Sequence, residues 1–242
     1  MNTLLQNMDL PKYEKKFQTL VNYIGKNAET ILEVGSHYGE DSIRFRYFFP
    51  QSNLYCFECD PRNIEIFEKY CKEIDNIKLI KKAVSKNETT LDFYQSFKPE
   101  NINNLPDKYK FINKNEYNNL KLNASGSSSL KKSNFEHLKN STKIQVETIS
   151  LNKFYEQENI DVVDLLWIDV QGAEKDVLDG ANNILHKVKY IQIEYGELIY
   201  EDALTRENTI DYMKKYNFKL LHDWNPNSSI GDFLFKNNNI LL

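Results

Sequence analysis

The feature that most constrains this chain is a repeated unit made of a short apolar run, a turn and a helical pattern. TILEVG (30–35) is apolar, ends in glycine, and leads into the helical EDSIRFRYFF, which stops at Pro50. NLYCFE (53–58) repeats the unit, followed by PRNIEIFEKYCKE (61–73). Pro61 suits the first helical turn, because its missing N–H has no partner there anyway. NIKLIKKAV (76–84) reads as a third strand. Strands alternating with helices require crossover connections and a mostly parallel sheet, so the expected class is α/β.

The second half continues the alternation. KIQVETIS (143–150) reads as a strand and LNKFYEQENI as a helix. VDLLWID (163–169) is a continuous apolar run, as suits a central strand buried on both faces. Val177, Leu178, Ala181, Ile184, Leu185 and Val188 then fall on one helical stripe, with Gly180 placed to cap one helix and start another. KYIQIEYG (189–196) is a further strand, a helix is expected over about 205–216, and FKLLHDW and IGDFLFK form an antiparallel pair joined by NPNSS.

Ahead of the first strand, residues 9–27 carry Leu10, Phe17, Leu20, Val21 and Ile24 at helical spacing, which predicts an amphipathic helix on one flank of the core. Between residues 96 and 141, Asn, Lys and Ser predominate, with GSSS at 126–129. So long a polar stretch is expected to be a lid, a binding insertion or disordered, and it is read here as a partly ordered active-site cover. With no internal repeat, residues 1–242 are expected to form a single domain.

Composition narrows the partners. A 40% hydrophobic content supplies a sizeable core. The net charge is -4 and the basic residues are scattered, so nucleic acid is not an expected partner. No apolar run approaches the ~20 residues that span a bilayer. Cys56, Cys59 and Cys71 cannot all pair with one another, and the start lacks a charged n-region followed by an apolar h-region, so a reduced, cytoplasmic setting is expected. Cys56 and Cys59 form a CxxC, but without the second cysteine pair or histidine cluster that structural zinc needs.

In an open α/β sheet, ligands bind outside the carboxyl ends of the strands, where strand order reverses. The first such turn, EVGSHYGEDS, sets Glu33 at a strand end and glycines at 35 and 39. Gly35 permits a sharp turn and a close backbone approach to a ligand, having no Cβ. The spacing is GxxxG, neither the dinucleotide GxGxxG nor a Walker A loop, so it suits a nucleoside without phosphates. Glu58, ending the second strand in FECD, is placed to accept hydrogen bonds from both ribose hydroxyls, whereas Asp60 suits the cap of the next helix. The alternative is a tight turn that holds no ligand.

Taken together, these residues show that the chain resembles the FkbM family of S-adenosylmethionine-dependent methyltransferases over most of its length. EVGSHYGEDS, FECDP, AVS (83–85), SSSL (127–130) and IDVQGAEKDVLDGA match the family's order. The last stretch is the most specific, being long and not shared by methyltransferases at large. Cys59 stands where the family often has proline, and Asn152 where it often has aspartate.

The resemblance implies a Rossmann-like class I methyltransferase fold, with a seven-stranded, mostly parallel sheet and an antiparallel C-terminal strand. It implies O-methyl transfer from S-adenosyl-L-methionine to a hydroxyl of a sugar, glycan or small natural product. Carried onto matching positions, Glu33, Gly35 and Gly39 line the methionine side, Glu58 the ribose, and Ala83, Val84 and Ser85 the adenine side. Ser36, His37 and Cys59 count as cofactor-lining by adjacency. Two other readings stay open: a nicotinamide-dependent oxidoreductase, opposed by the missing GxGxxG, and a cofactor-binding module without catalysis.

A hydroxyl acceptor needs a base within hydrogen-bond reach. Asp169 and Glu194 are the candidates, at the carboxyl ends of adjacent strands; otherwise Asp169 fixes the cofactor's amino group or caps a helix, and Glu194 orients a loop. His222 is either a second base or a buried, hydrogen-bonded histidine. Glu174 and Asp176 fall in a first helical turn, where the macrodipole stabilises acids by ~0.3–1 kcal/mol each. A divalent cation on Asp169 and Glu194 stays undecided, since carboxylates suit Mg but no further ligand is evident.

Overall fold

The computed structural model describes residues 10–135, 141–197 and 199–240. α1 (Leu10–Ile24) precedes β1 (Thr30–Val34) and α2 (Glu40–Phe48), and β2 (Asn53–Phe57) and α3 (Pro61–Cys71) repeat the unit. Next come β3 (Ile77–Ile80), β4 (Ala83–Val84), β5 (Thr90–Ser96) and α4 (Lys114–Asn119). The second half contains β6 (Ser141–Ile149), α5 (Leu151–Glu158), β7 (Val163–Ile168), α6 (Glu174–Asp179) and β8 (Val188–Gly196). It closes with α7 (Arg206–Lys215), β9 (Phe218–Asp223) and β10 (Ile230–Asn237).

The main sheet has seven strands in the order β3-β2-β1-β7-β8-β10-β9. β10 runs antiparallel to β8 and β9, and the other pairs are parallel. This is the expected α/β architecture with an antiparallel C-terminal strand. From β1 the chain winds outward through β2 and β3, then returns to place β7 on β1's other side. The order therefore reverses between β1 and β7, and a crevice opens at their carboxyl ends.

Every residue of β7 is buried, which accounts for its unbroken apolar run. Successive side chains point to opposite faces, so Leu165 and Trp167 join Phe17, Phe45 and Ile66 in one core, while Leu166 and Ile168 join Phe57, Val177 and Ile193 in the other. α1 is held by Phe17, whose ring stacks 5.4 Å from Phe48 and 5.9 Å from Trp167. Among the described residues, no helix is long and apolar enough to cross a membrane.

Three expectations need correction. NIKLIKKAV is not one strand: the Lys82 N–H turns back onto the Ile80 carbonyl at 2.9 Å, and Ala83–Val84 join a separate sheet ordered β4-β6-β5. Lys81 and Lys82 stand at the break, paired at the surface with Glu68 (2.6 Å) and Glu147 (2.9 Å). KIQVETIS belongs to this smaller sheet as β6, with the unforeseen β5 as its antiparallel partner.

The polar stretch after residue 96 contributes to the core. Its Tyr109, Phe111, Ile112, Tyr117 and Leu122 are buried in the α1-side core. Residues 136–140 of the expected cover lie outside the described residues. Finally, the stripe from Val177 to Val188 is interrupted, because α6 ends at Asp179 and a separate helical turn spans Leu185–Lys187. Gly180 is fixed by packing: a Cβ there would meet the Ser85 carbonyl oxygen at 2.2 Å.

Candidate active site

The crevice begins where β1 ends. Gly35 adopts φ +89°, and a Cβ there would lie 1.9 Å from the Asp169 carbonyl oxygen. Glycine thus lets the ends of β1 and β7 touch, locked by the Asp169 N–H on the Val34 carbonyl at 3.0 Å. Beyond this contact lies a cavity of about 310 Å³. Glu33, Gly35, Ser36 and His37 enter its wall from the first turn, and Glu58 and Cys59 from the end of β2. Ala83 and Val84 line it from β4, and Asp169 and Glu194 from the ends of β7 and β8.

Three expected site residues lie elsewhere. Gly39 packs on α3, where a Cβ would meet the Cys71 sulfur at 2.5 Å. Ser85 is buried and gives its N–H to the Ile149 carbonyl at 3.0 Å, so it braces β4 behind the wall. His222 sits in β9 at the far edge of the sheet, its ring 4.7 Å from Trp224, and lines neither this cavity nor the one beside it. The second-base reading of His222 therefore has no geometric support.

Glu58 is bound more fully than the sequence suggests. It accepts the N–H groups of His37 (2.9 Å), Cys59 (2.8 Å) and Asp60 (2.7 Å). A carboxylate has about four lone-pair sites, so one acceptor position stays open on Oε2, enough for one ribose hydroxyl but not two. Burial, followed by the charge of Asp60, pushes Glu58 up to about 7. Asp60 caps α3, accepting the Arg62 N–H at 3.0 Å. Glu33 accepts from Ser42 (2.5 Å) and Cys56 (3.3 Å), and burial raises it well above the usual carboxylate range.

His37 fastens the polar insertion to the glycine turn. At φ 51°, its Nδ1 meets Glu40 and its Nε2 meets Ser125, both at 3.0 Å. Burial alone would raise Glu40, but the facing His37 ring and Lys108 outweigh it and hold Glu40 at about 2.

At the other end, Gln171 adopts φ 55° and donates through Nε2 to Asp169 Oδ1 and Glu194 Oε2, each at 2.8 Å. Burial raises both acids, and the neighbouring Asp169 charge raises Glu194 further. The two acids therefore titrate as a pair that resists losing both protons. Glu174 is more than a dipole acid: it is buried, accepts the N–H groups of Gly172 (3.0 Å) and Val170 (3.3 Å), and burial raises it to about 7. Asp176 pairs with Lys131 at 2.8 Å.

Asn63 and Gln171 are among the lining residues that the sequence alone does not assign to the site. Asn63 is buried, and its Oδ1 has no hydrogen-bond partner. Nothing in its helical context marks it. Gln171 had a signal, a polar residue in the turn after a strand-end acid, but its bridging role needs Glu194 from another strand. Among the described residues, no group of three or more His, Cys, Asp or Glu is arranged to hold a metal ion. Cys56 and Cys59 are free thiols, the first aimed at Glu33.

Comparison with known proteins follows the same line. The family model described as Methyltransferase FkbM domain matches residues 33–220. The 2-O-methyltransferase NoeI of Sinorhizobium fredii is 27% identical over 226 residues, covering 92% of this chain and 85% of NoeI. Among solved structures, M. capricolum TrmK in complex with S-adenosyl-homocysteine is 10% identical, covers 90% of this chain and 67% of its own, and has a TM-score of 0.46. Aeropyrum pernix fibrillarin with natively bound S-adenosyl-L-methionine is 10% identical, covers 86% and 66%, and has a TM-score of 0.45. The family match runs from the acid of β1 into β9, and this chain belongs to the FkbM methyltransferase family.

Proposed function

We propose that this protein transfers a methyl group from S-adenosyl-L-methionine to a hydroxyl of a sugar or glycan. The observation that carries the reading is one cavity in which a close-approach glycine turn, a strand-end acid and a bridged acid pair converge. Its wall suits a nucleoside. The buried Asn63 Oδ1 lacks a donor, which an amino or hydroxyl group of a nucleoside would supply. Glu58 keeps one acceptor site for a ribose hydroxyl, and Ala83 and Val84 offer apolar surface for the base.

When bound, S-adenosyl-L-methionine supplies a methyl carbon on a positively charged sulfur. Gly35, Glu58, Ala83 and Val84 would hold that group, whose sulfur would keep the electron pair as the methyl leaves, and Asp169 would take the proton of the accepting hydroxyl. Asp169 is suited to this because the Gln171 amide, donating to Oδ1 at 2.8 Å, favours its ionised form. Holding the reactants in line can contribute ~7–11 kcal/mol of barrier reduction. The similarity to a 2-O-methyltransferase supports oxygen as the accepting atom.

The test is incubation with S-adenosyl-L-methionine carrying an isotopically labelled methyl and a panel of glycosides. Label transferred to a glycoside hydroxyl, with one S-adenosylhomocysteine formed per methyl, is expected. Label on nitrogen, or none on any hydroxyl compound, would contradict the reading.

A further inference from the structure

A second cavity, of about 270 Å³, adjoins the first, and the two share Gln171 and Glu194 as lining residues. The geometry points to this second cavity as the acceptor chamber, taking an uncharged, hydroxyl-bearing ring with an apolar substituent. The inference rests on the methyl transfer proposed above and adds where the acceptor lies and what chemistry it carries.

The position follows from the shared wall. Glu194 lines both cavities and Asp169 the first alone, and Gln171 joins the two acids at the junction, so a hydroxyl carried by a ring in the second cavity reaches Asp169 through that junction. The wall is built tightly. Gly172 adopts φ +96°, and a Cβ there would meet the Tyr200 Cβ at 2.4 Å. The Tyr200 hydroxyl donates to the Ser127 carbonyl at 3.0 Å and lies 3.2 Å from Gln171 Oε1. Tyr200 thus ties the turn bearing Gln171 to the serine stretch of the insertion, and the chamber is a formed space between them.

The class of occupant follows from the lining. Glu174 and Glu194 contribute acidic groups, and among the described residues that line the chamber none is a cation. A phosphate, sulfate or uronate would meet the negative charge that the Asp169–Glu194 pair carries once it gives up one proton, so anionic acceptors are disfavoured. Hydroxyls are favoured, since carboxyl oxygens accept strong hydrogen bonds from them. Tyr200, Ile199 and Ile230 add apolar surface suited to the C–H face of a ring. Ile230 lines the chamber while 40% exposed, which marks an apolar lip where a substituent on the ring would emerge. The volume lies just below the ~300–1,000 Å³ of typical small-molecule sites, which fits one ring better than a chain of them.

The experiment uses the full chain with saturating S-adenosylhomocysteine, neutral phenyl glycosides of common hexoses and deoxyhexoses, and the matching hexose 6-phosphates as probes. Saturation-transfer NMR reads binding without turnover, and calorimetry reads S-adenosyl-L-methionine affinity in parallel. Ile230→Trp fills the lip at an exposed position, and thermal unfolding checks that it folds. The expected result is binding of neutral glycosides in preference to phosphates, weakened roughly tenfold or more by Ile230→Trp, with cofactor affinity unchanged. On a protein that binds S-adenosyl-L-methionine, the inference is overturned by preference for phosphates, by no bound neutral glycoside, or by glycoside binding that Ile230→Trp leaves intact. Wild-type protein that fails to bind S-adenosyl-L-methionine would overturn the methyl-transfer reading itself, and the chamber with it.

Discussion

Asp169 and Glu194, delivered by neighbouring parallel strands, share a single donor, the Gln171 side-chain amide, at 2.8 Å each. The amide lowers the proton affinity of Asp169 against the burial that raises it. Methyl transfer should therefore rise with pH as Asp169 ionises, and Gln171→Met should move that acid limb to higher pH. An unmoved limb in the pH–rate profile of the variant would separate Gln171 from the base.

Asp169→Asn keeps the shape and most of the hydrogen bonding but removes the base. The expected loss in turnover is ~10²–10⁴-fold, with cofactor affinity within a few-fold of wild type. Full turnover in the variant on an identified acceptor would exclude Asp169 as the base.

Asn63 offers a sharper test of the cofactor wall. Its Oδ1 is buried without a partner, which costs about 1–3 kcal/mol in the ligand-free protein. Asn63→Leu should leave ligand-free stability equal or higher while weakening S-adenosyl-L-methionine binding about 5–30-fold, the equivalent of one to two kcal/mol. Thermal unfolding and calorimetry on the same sample check both halves, and unchanged affinity would move the nucleoside away from α3.

The buried acids also set a pH dependence of stability. Glu58 and Glu174 are raised from an ordinary 4.5 to about 7, so between those values the folded chain binds more protons than the unfolded one. Stability contributed by these groups is therefore lost as pH rises through that window. Glu40 acts oppositely: held at about 2, it contributes stability above 4.5 that is lost as pH falls towards 2. The ligand-free protein should be most stable in mildly acidic solution, and its melting temperature should fall from about pH 5 to pH 8. A flat profile would contradict the burial of these acids.

Gly35→Ala combines a left-handed backbone with a Cβ only 1.9 Å from the Asp169 carbonyl oxygen. A loss of about 3–5 kcal/mol in chemical denaturation is expected. Gly25→Ala, at φ +85° with nothing within 4 Å, should lose only the backbone share of ~1–2 kcal/mol. Equal losses would show that the β1–β7 contact is not tight.

What the sequence made legible was whatever a local pattern enforces. β7 announced itself because a strand covered on both faces must be apolar throughout, and Glu58, Asp169 and Glu194 stood out as acids closing apolar runs. β5 was hidden because TLDFYQS alternates inside a polar region, and the split after Ile80 was masked by the apolar residues around Lys81 and Lys82. The core anchors Tyr109, Phe111 and Tyr117 are scattered among Asn and Lys with no period to reveal them. The bridging role of Gln171 depends on β8 lying beside β7, and the remoteness of His222 depends on β10 lying between β8 and β9. Both are relations between strands, which spacing along the chain does not encode.

The most direct measurement is calorimetric titration of the purified protein with S-adenosyl-L-methionine and, separately, with NAD. Micromolar binding of S-adenosyl-L-methionine that Glu58→Ala strongly weakens, with no heat from NAD, is the expected result. Binding of NAD with none of S-adenosyl-L-methionine would contradict it.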